Sequence, residues 1–333
     1  MQDRAFGFDA ALFHEMIPPM SSPRLALLTA VLALNTASAV VHVTGDGSGN
    51  ITAPGVDDFG FAKVGLVFDV SDQVYIGGVY LGDGWVLTAY HGVRDAPLTG
   101  FQLSTVRFGG TDYTLDQMSG VRLTTPGQGN ADLALIHMIG PYPMLDSAPL
   151  ASLSPASGAT LAMAGIGRNR STVETHWNVT PVAGPDNDIW TVTGGAGDRQ
   201  GFEYAGGATL RWGMNKRTAN APANVNDGFG ITKMFRTQFD NDGTAIANEA
   251  QAAPGDSGGG VFYKNGATWE LAGIMLVTSD LDGQPADTAV FGNQTYMADV
   301  ATYRSQIVAT IPEPASLTLA LAGLALFGAR RRR

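Results

Sequence analysis

The 333-residue chain contains no cysteine. That excludes disulfides and thiolate metal sites, and it leaves the compartment open, since exported proteins need not carry disulfides. Charge is also scarce: 15% of residues are charged, and the net charge is -10. No interior segment forms a basic patch, which argues against a nucleic-acid partner. Helical periodicity is hard to find before Val300–Ala309, which follows Asp299 as a candidate cap. Long apolar runs are confined to the two ends. Against these shortages stand 43 glycines, 17 prolines and 44% apolar residues. This balance points to a sizeable core built from many short strands and turns.

Strand-like stretches rich in valine and aromatics occur at Val64–Val70, Val74–Leu81, Trp85–Ala89, Thr105–Phe108, Leu133–Met138 and Thr160–Ala164. More follow at Trp190–Thr193, Gly260–Tyr263, Trp269–Val277 and Thr288–Phe291. Asp83-Gly84 is a hairpin signal. The pattern predicts an antiparallel barrel or sandwich. The segment from Arg170 to Ala250, rich in Gly, Asn, Asp and Thr, is expected to hold long loops between strands. Val40 to about Asp58 reads as an exposed arm.

Each end carries a processing pattern. Arg24, the apolar run Leu25–Leu34 and Ala37-Ser38-Ala39 form a secretory signal, with cleavage expected before Val40. Asp3, Asp9, Glu15 and Pro18-Pro19 do not fit such a leader, so translation is expected to start at Met20. At the other end, Ile311-Pro312-Glu313-Pro314 precedes a short apolar segment, Ala315–Ala329, and then Arg330–Arg333. This arrangement resembles the PEP-CTERM sorting signal of Gram-negative bacteria. The resemblance implies export and transient retention in the inner membrane through residues 315–329. An exosortase-type enzyme would then remove the tail, leaving the protein at the cell surface or outside the cell. Signal peptidase is the other implied processing partner.

Three interior motifs carry chemistry. Pro254-Gly255-Asp256-Ser257-Gly258-Gly259-Gly260 surrounds a serine with glycines, which allow a tight turn and close substrate approach. Alone it is a common turn sequence; a serine also needs a base and an oxyanion site to act as a nucleophile. Gly84–His91 ends an apolar strand on a histidine. Ala131–Ile136 places Asp132 in another apolar run, where a buried carboxylate needs a partner. Together, Thr88-Ala89-Tyr90-His91, Asp132-Leu133-Ala134-Leu135 and Gly255–Gly259 resemble the three signatures of the trypsin/chymotrypsin-like serine proteases, in that family's order. Gly77-Gly78, Thr160–Arg168, Leu271–Ile274 and Tyr296–Ile307 agree with its flanking segments.

The resemblance covers roughly Phe61 to Ile311. It implies two six-stranded antiparallel β-barrels with a short C-terminal helix, and an active site between the barrels. The expected domains are a leader at 1–39, an arm at 40–58, a protease domain at 59–310 and a sorting tail at 311–333 with a membrane helix. Ser257 would be the nucleophile, His91 the general base and Asp132 its orienting acid, acting on a protein or peptide substrate. Gly255 and Ser257 would form the oxyanion hole.

Gln251, Ala252 and Thr278 would line the specificity pocket. Gln251 in place of an acid argues against selection of Arg or Lys, and the small Ala252 favours a neutral residue. Leu276 offers Asp132 no supporting hydroxyl. In that family the acid before the serine pairs with a new N-terminus. Asp256 could do so with Ile51 or, after signal cleavage, with Val40. Asp240-Asn241-Asp242-Gly243 lacks a closing acid, because Gln251 stands at that spacing. No metal and no cofactor are assigned. The alternative reading is an inactive protease-fold binding or matrix protein.

Overall fold

A computed structural model describes residues 40–68, 75–94, 101, 104–207 and 209–311. The leader with its expected signal peptide, and the tail from 312 with its expected membrane helix, lie outside the described residues. Among the described residues no helix is long and apolar enough to cross a membrane.

Six strands close the first barrel: Val64–Phe68, Tyr75–Gly82, Trp85–Ala89, Thr105–Phe108, Thr111–Thr125 and Gly129–Met138. The turn at Asp83-Gly84 works as its sequence predicts. Both residues have positive φ, 47° and 81°, which the right-handed twist of a two-residue hairpin requires. The Gly129–Met138 strand is buried on both faces. Ala134, Ile136 and Met138 pack inside the barrel with Val67, Val86 and Val106. Leu133 and Leu135 face the other way and join Leu87, Phe262, Leu271 and Ile274 in a cluster shared with the second half of the chain. Two buried faces explain the unbroken apolar run around Asp132. Each fully buried leucine there contributes roughly 2–3 kcal/mol.

The second half is a seven-stranded sheet. Its strands are Thr160–Gly165, Arg211–Lys216, Ala223–Asn226, Ile231–Gln238, Gly260–Asn265, Thr268–Ser279 and Gln294–Asp299. All but Ala223–Asn226 wrap into a barrel whose last seam is short. The Arg217–Thr237 bridge and the bond from Thr218 N to Arg236 O, 2.9 Å, join the outer strands. The two-barrel expectation holds, with one barrel fully laddered and the other closed by this seam. The helix Val300–Thr310 buries Val300, Tyr303 and Ile307. Asp299 stands at its N-cap. Its carboxylate accepts the hydroxyls of Ser154, at 2.6 Å, and Thr302, at 3.0 Å, rather than a helix amide.

Two expectations are corrected. The segment after Arg170 is not mainly loop. Thr175–Thr180, Ile189–Thr193 and Arg199–Ala205 pair with one another and with Thr288–Val290 in a separate sheet, and three strands of the seven-stranded sheet follow. Trp190–Thr193 and Thr288–Phe291 are legible as strands in the sequence, whereas Thr175–Thr180 and Arg199–Ala205 are not, because their exposed positions carry Thr, Asn, Arg and Glu. The start of the arm is not exposed either. Val40, Val41 and His42 are buried, and Val41–His42 pairs with Ala250–Gln251. Two buried arginines hold it. Arg170 donates to His42 O at 2.8 Å and Gly45 O at 2.7 Å, and Arg211 donates to Gly49 O. Burial pushes the Arg211 guanidinium down to about 10.

Candidate functional site

The barrel ladder places the histidine. Ala89 pairs with Leu133 at the last rung between Trp85–Ala89 and Gly129–Met138, so the turn Tyr90–Gly92 begins beside Asp132. His91 then meets Asp132 twice. Its amide donates to Oδ1 at 2.7 Å, and its Nδ1 lies 2.6 Å from Oδ2. On the other side of the ring, Nε2 lies 2.8 Å from Ser257 Oγ. The structure therefore brings together three side chains that the sequence singled out separately. Asp132 has no exposed surface, while the His91 side chain is 19% exposed and reachable from the cleft. Burial disfavours a charged imidazole. The hydrogen bond and charge of Asp132, helped by Asp227, outweigh that, and the His91 pKa lies above the ordinary histidine value.

The serine turn is fixed by contacts that exclude side chains. Gly258 has φ +80°, and a Cβ there would overlap Gly77 O and Thr88 Oγ1. Gly77 N donates to Ser257 O at 2.6 Å, and Thr88 Oγ1 donates to Gly77 O at 2.6 Å, so the first barrel holds the turn directly. Gly258 N donates to Met275 O at 2.8 Å from the second barrel. Gly255, with φ +98°, packs against Gly167. The amides of Gly255 and Ser257 donate to no group among the described residues, and both residues are partly exposed.

Asp256 points away from the cleft and is fully buried. Its carboxylate accepts the amides of Gly167 at 2.7 Å, Ala253 at 2.7 Å and Val40 at 3.2 Å. Burial without a counter-charge pushes its pKa up to about 7 despite these bonds. Ile51, the other residue weighed as a partner for Asp256, is 52% exposed.

The expected pocket residues are more deeply packed than their sequence suggests. Gln251 is 1% exposed, pairs with Val41, and donates from Nε2 to the Tyr204 hydroxyl at 3.3 Å. Ala252 is buried, with its amide on Thr295 Oγ1 at 3.0 Å. Thr278 lies partly exposed near the end of its long strand. Leu276 is buried in the core cluster between the barrels. The Asp132 amide instead donates to Thr232 Oγ1, at 2.8 Å.

Sequence reading missed one wall of the site. Phe229 stacks on the His91 ring, with centroids 5.1 Å apart and planes at 29°. The Arg94 guanidinium lies over the Phe229 ring, 4.7 Å from its centroid. The only local signal was the glycine pair Gly228 and Gly230 around Phe229, within a segment read as loop.

Residues 310–333 match the family model of the PEP-CTERM protein-sorting motif. No curated protein matches the sequence. Among solved structures, the chain is similar to neuropsin, a serine protease expressed in the limbic system of mouse brain. The two share 18% identity over 79% of this chain and 99% of that one, with a TM-score of 0.46. It is also similar to the Rv3671c protease in its inactive form, at 12% identity over 76% of this chain and 91% of that one, with a TM-score of 0.43.

Proposed function

We propose that the chain is an exported serine endopeptidase that cleaves peptide bonds through an acyl-enzyme. The observation that carries this reading is the His91 bridge, 2.6 Å from Asp132 and 2.8 Å from Ser257. In the proposed reaction Ser257 Oγ attacks the substrate carbonyl carbon as His91 Nε2 takes its proton. The carbonyl π electrons move to oxygen, and the free amides of Gly255 and Ser257 stabilise that oxyanion, a term worth roughly 3 kcal/mol per donor. Collapse expels the amine, which receives the proton from His91. Water then enters by the same path and releases the acid. Asp132 holds the imidazole tautomer and stabilises the imidazolium.

The matched sorting motif supports export through the membrane and processing by an exosortase, with signal peptidase acting before Val40. The contact between Val40 and Asp256 supports activation by that same cut, because cleavage would turn an amide into an ammonium beside a buried carboxylate. The buried, neutral surroundings of Gln251 and Ala252 favour an uncharged substrate side chain over Arg or Lys.

A fluorophosphonate probe tests the core of the reading. The mature protein labels at Ser257, and labelling is lost in Ser257→Ala and His91→Ala. A folded mature protein that does not label would instead be a binding protein on a protease scaffold.

A further inference from the structure

A second carboxyl group stands behind Asp132. Asp227 opens the turn Asp227-Gly228-Phe229-Gly230 between the strands Ala223–Asn226 and Ile231–Gln238. Its Oδ1 accepts the amides of Phe229 at 2.9 Å and Gly230 at 3.0 Å. Its Oδ2 is closed off from solvent and meets no donor. Burial raises the Asp227 pKa, and the Asp132 carboxylate is the charged group that acts on it in the same direction. Both Asp132 oxygens are already accepting from His91. Two bare carboxylates in such a place repel, whereas a single proton between them makes a bonded pair.

The turn is built to lie there. A Cβ on Gly230 would stand 2.6 Å from Asn130 O and 3.1 Å from Asp132 N, so only glycine lets the turn settle on the Asp132 strand. Arg122 ties the two together, donating to Ala131 O at 2.9 Å and to Phe229 O, with its guanidinium over the Tyr90 ring. Phe229 covers the His91 ring from the same turn. The titratable and charged groups around Asp227 are Asp132, His91 and Arg94 from the first barrel, Arg122 from the long strand, and Tyr303 from the helix. Among the described residues no ion pair joins either arginine to Asp227.

We propose that Asp227 is a positioning residue for the Asp132–His91 pair. It donates a proton held on Oδ2 to Asp132, and once that proton leaves, its charge makes His91 more basic. The donor fixes the rotamer of Asp132, and the charge acts on the imidazole through Asp132. Burial and the charge of Asp132 push Asp227 up to about 6, so both forms are sampled in the working range of a histidine base. The inference rests on His91 and Asp132 having the roles proposed above.

The test reads His91 and the aspartates directly by NMR titration of the Ser257→Ala protein, and so does not depend on activity. Asp227→Asn keeps the shape. Its carbonyl can accept from the Phe229 and Gly230 amides, and its NH2 can donate to Asp132. The His91 pKa is expected to fall by on the order of one unit in this variant. In the unsubstituted background one carbon-13 carboxyl signal titrates near 6, and Asp227→Asn removes it. An unshifted His91, or no aspartate titrating near 6, overturns the proposal. If Asp227→Asn fails to fold, the carboxyl titration of the parent still decides. With Ser257 restored, Asp227→Ala slows fluorophosphonate labelling about tenfold. Asp227→Asn recovers most of that rate, with the acid limb moved to lower pH. Labelling of Asp227→Ala at the parent rate also overturns the proposal, whereas absence of labelling in the parent protein bears on the protease reading alone.

Discussion

The amide nitrogen of Val40 lies 3.2 Å from Oδ2 of Asp256, two residues that stand 216 apart in the chain. Val40 is held there at φ 47°, a conformation that a β-branched residue adopts at a cost of roughly 1–3 kcal/mol. A chain that begins at Val40 has no φ at that residue and carries an ammonium in place of the amide. Both changes favour the docked arm. We predict that protein released from a fusion to begin at Val40 labels with fluorophosphonate at least tenfold faster than protein retaining a few preceding residues. Asp256→Asn should erase the difference.

The same contact sets a stability profile. The Asp256 pKa is raised from 3.8 to about 7 in the fold, so the unfolded chain releases its proton first and stability falls as pH rises between those values. An N-terminal ammonium at Val40 reverses this by holding the carboxylate charged. Thermal unfolding from pH 4 to pH 7 should therefore decline more steeply in the extended protein than in the one beginning at Val40.

His91 must be neutral to accept the serine proton. Its pKa is raised above 6.5, so the proposed activity is present above that raised value and lost as pH falls through it. The acid limb of kcat/KM on a peptide substrate is expected to have its inflection above 6.5. Asp132→Asn removes the charge and the acceptor, and should lower kcat by about four orders of magnitude, as a wrong tautomer does.

Gly258→Ala would introduce a methyl group against Gly77 O and Thr88 Oγ1 at φ +80°. Backbone must move, and the turn carrying Ser257 moves with it. The expected cost is at least ~2 kcal/mol of stability, with loss of labelling. Gly266, which also has positive φ (+61°) but open space around it, is the control. Its alanine variant should lose only about 1 kcal/mol and keep labelling.

How much of this was legible in the sequence varied with burial. Trp85–Ala89 and Thr105–Phe108 begin and end where the apolar pattern says. Asp132 stood out because every neighbour from Ala131 to Ile136 is fully buried, so one charge in that run demanded a partner. Thr111–Thr125 was missed although it is the longest strand. It is largely exposed, with Leu115, Leu123 and Thr125 its buried positions, so it has no apolar alternation to read. Thr175–Thr180 buries Trp177 alone. Apart from the glycines on either side of Phe229, no pattern marks Asp227 or Phe229. They reach His91 only because the Ala223–Asn226 hairpin folds back across the first barrel, a relation that exists in topology and not along the chain.

Arg170 and Arg211 grip the arm by its main-chain oxygens at His42, Gly45 and Gly49. Carbonyls are the same in every residue, so this strap ignores most side-chain identities between Thr44 and Gly49 and responds instead to backbone shape. Gly47 is one exception, since a Cβ there would stand 2.9 Å from the Arg170 side chain. Variation at Thr44 or Ser48 should accumulate with little effect on docking, whereas Asp46 supplies the negative charge that favours both guanidinium groups, and shortening the arm by one residue would pull the carbonyls out of phase with both at once.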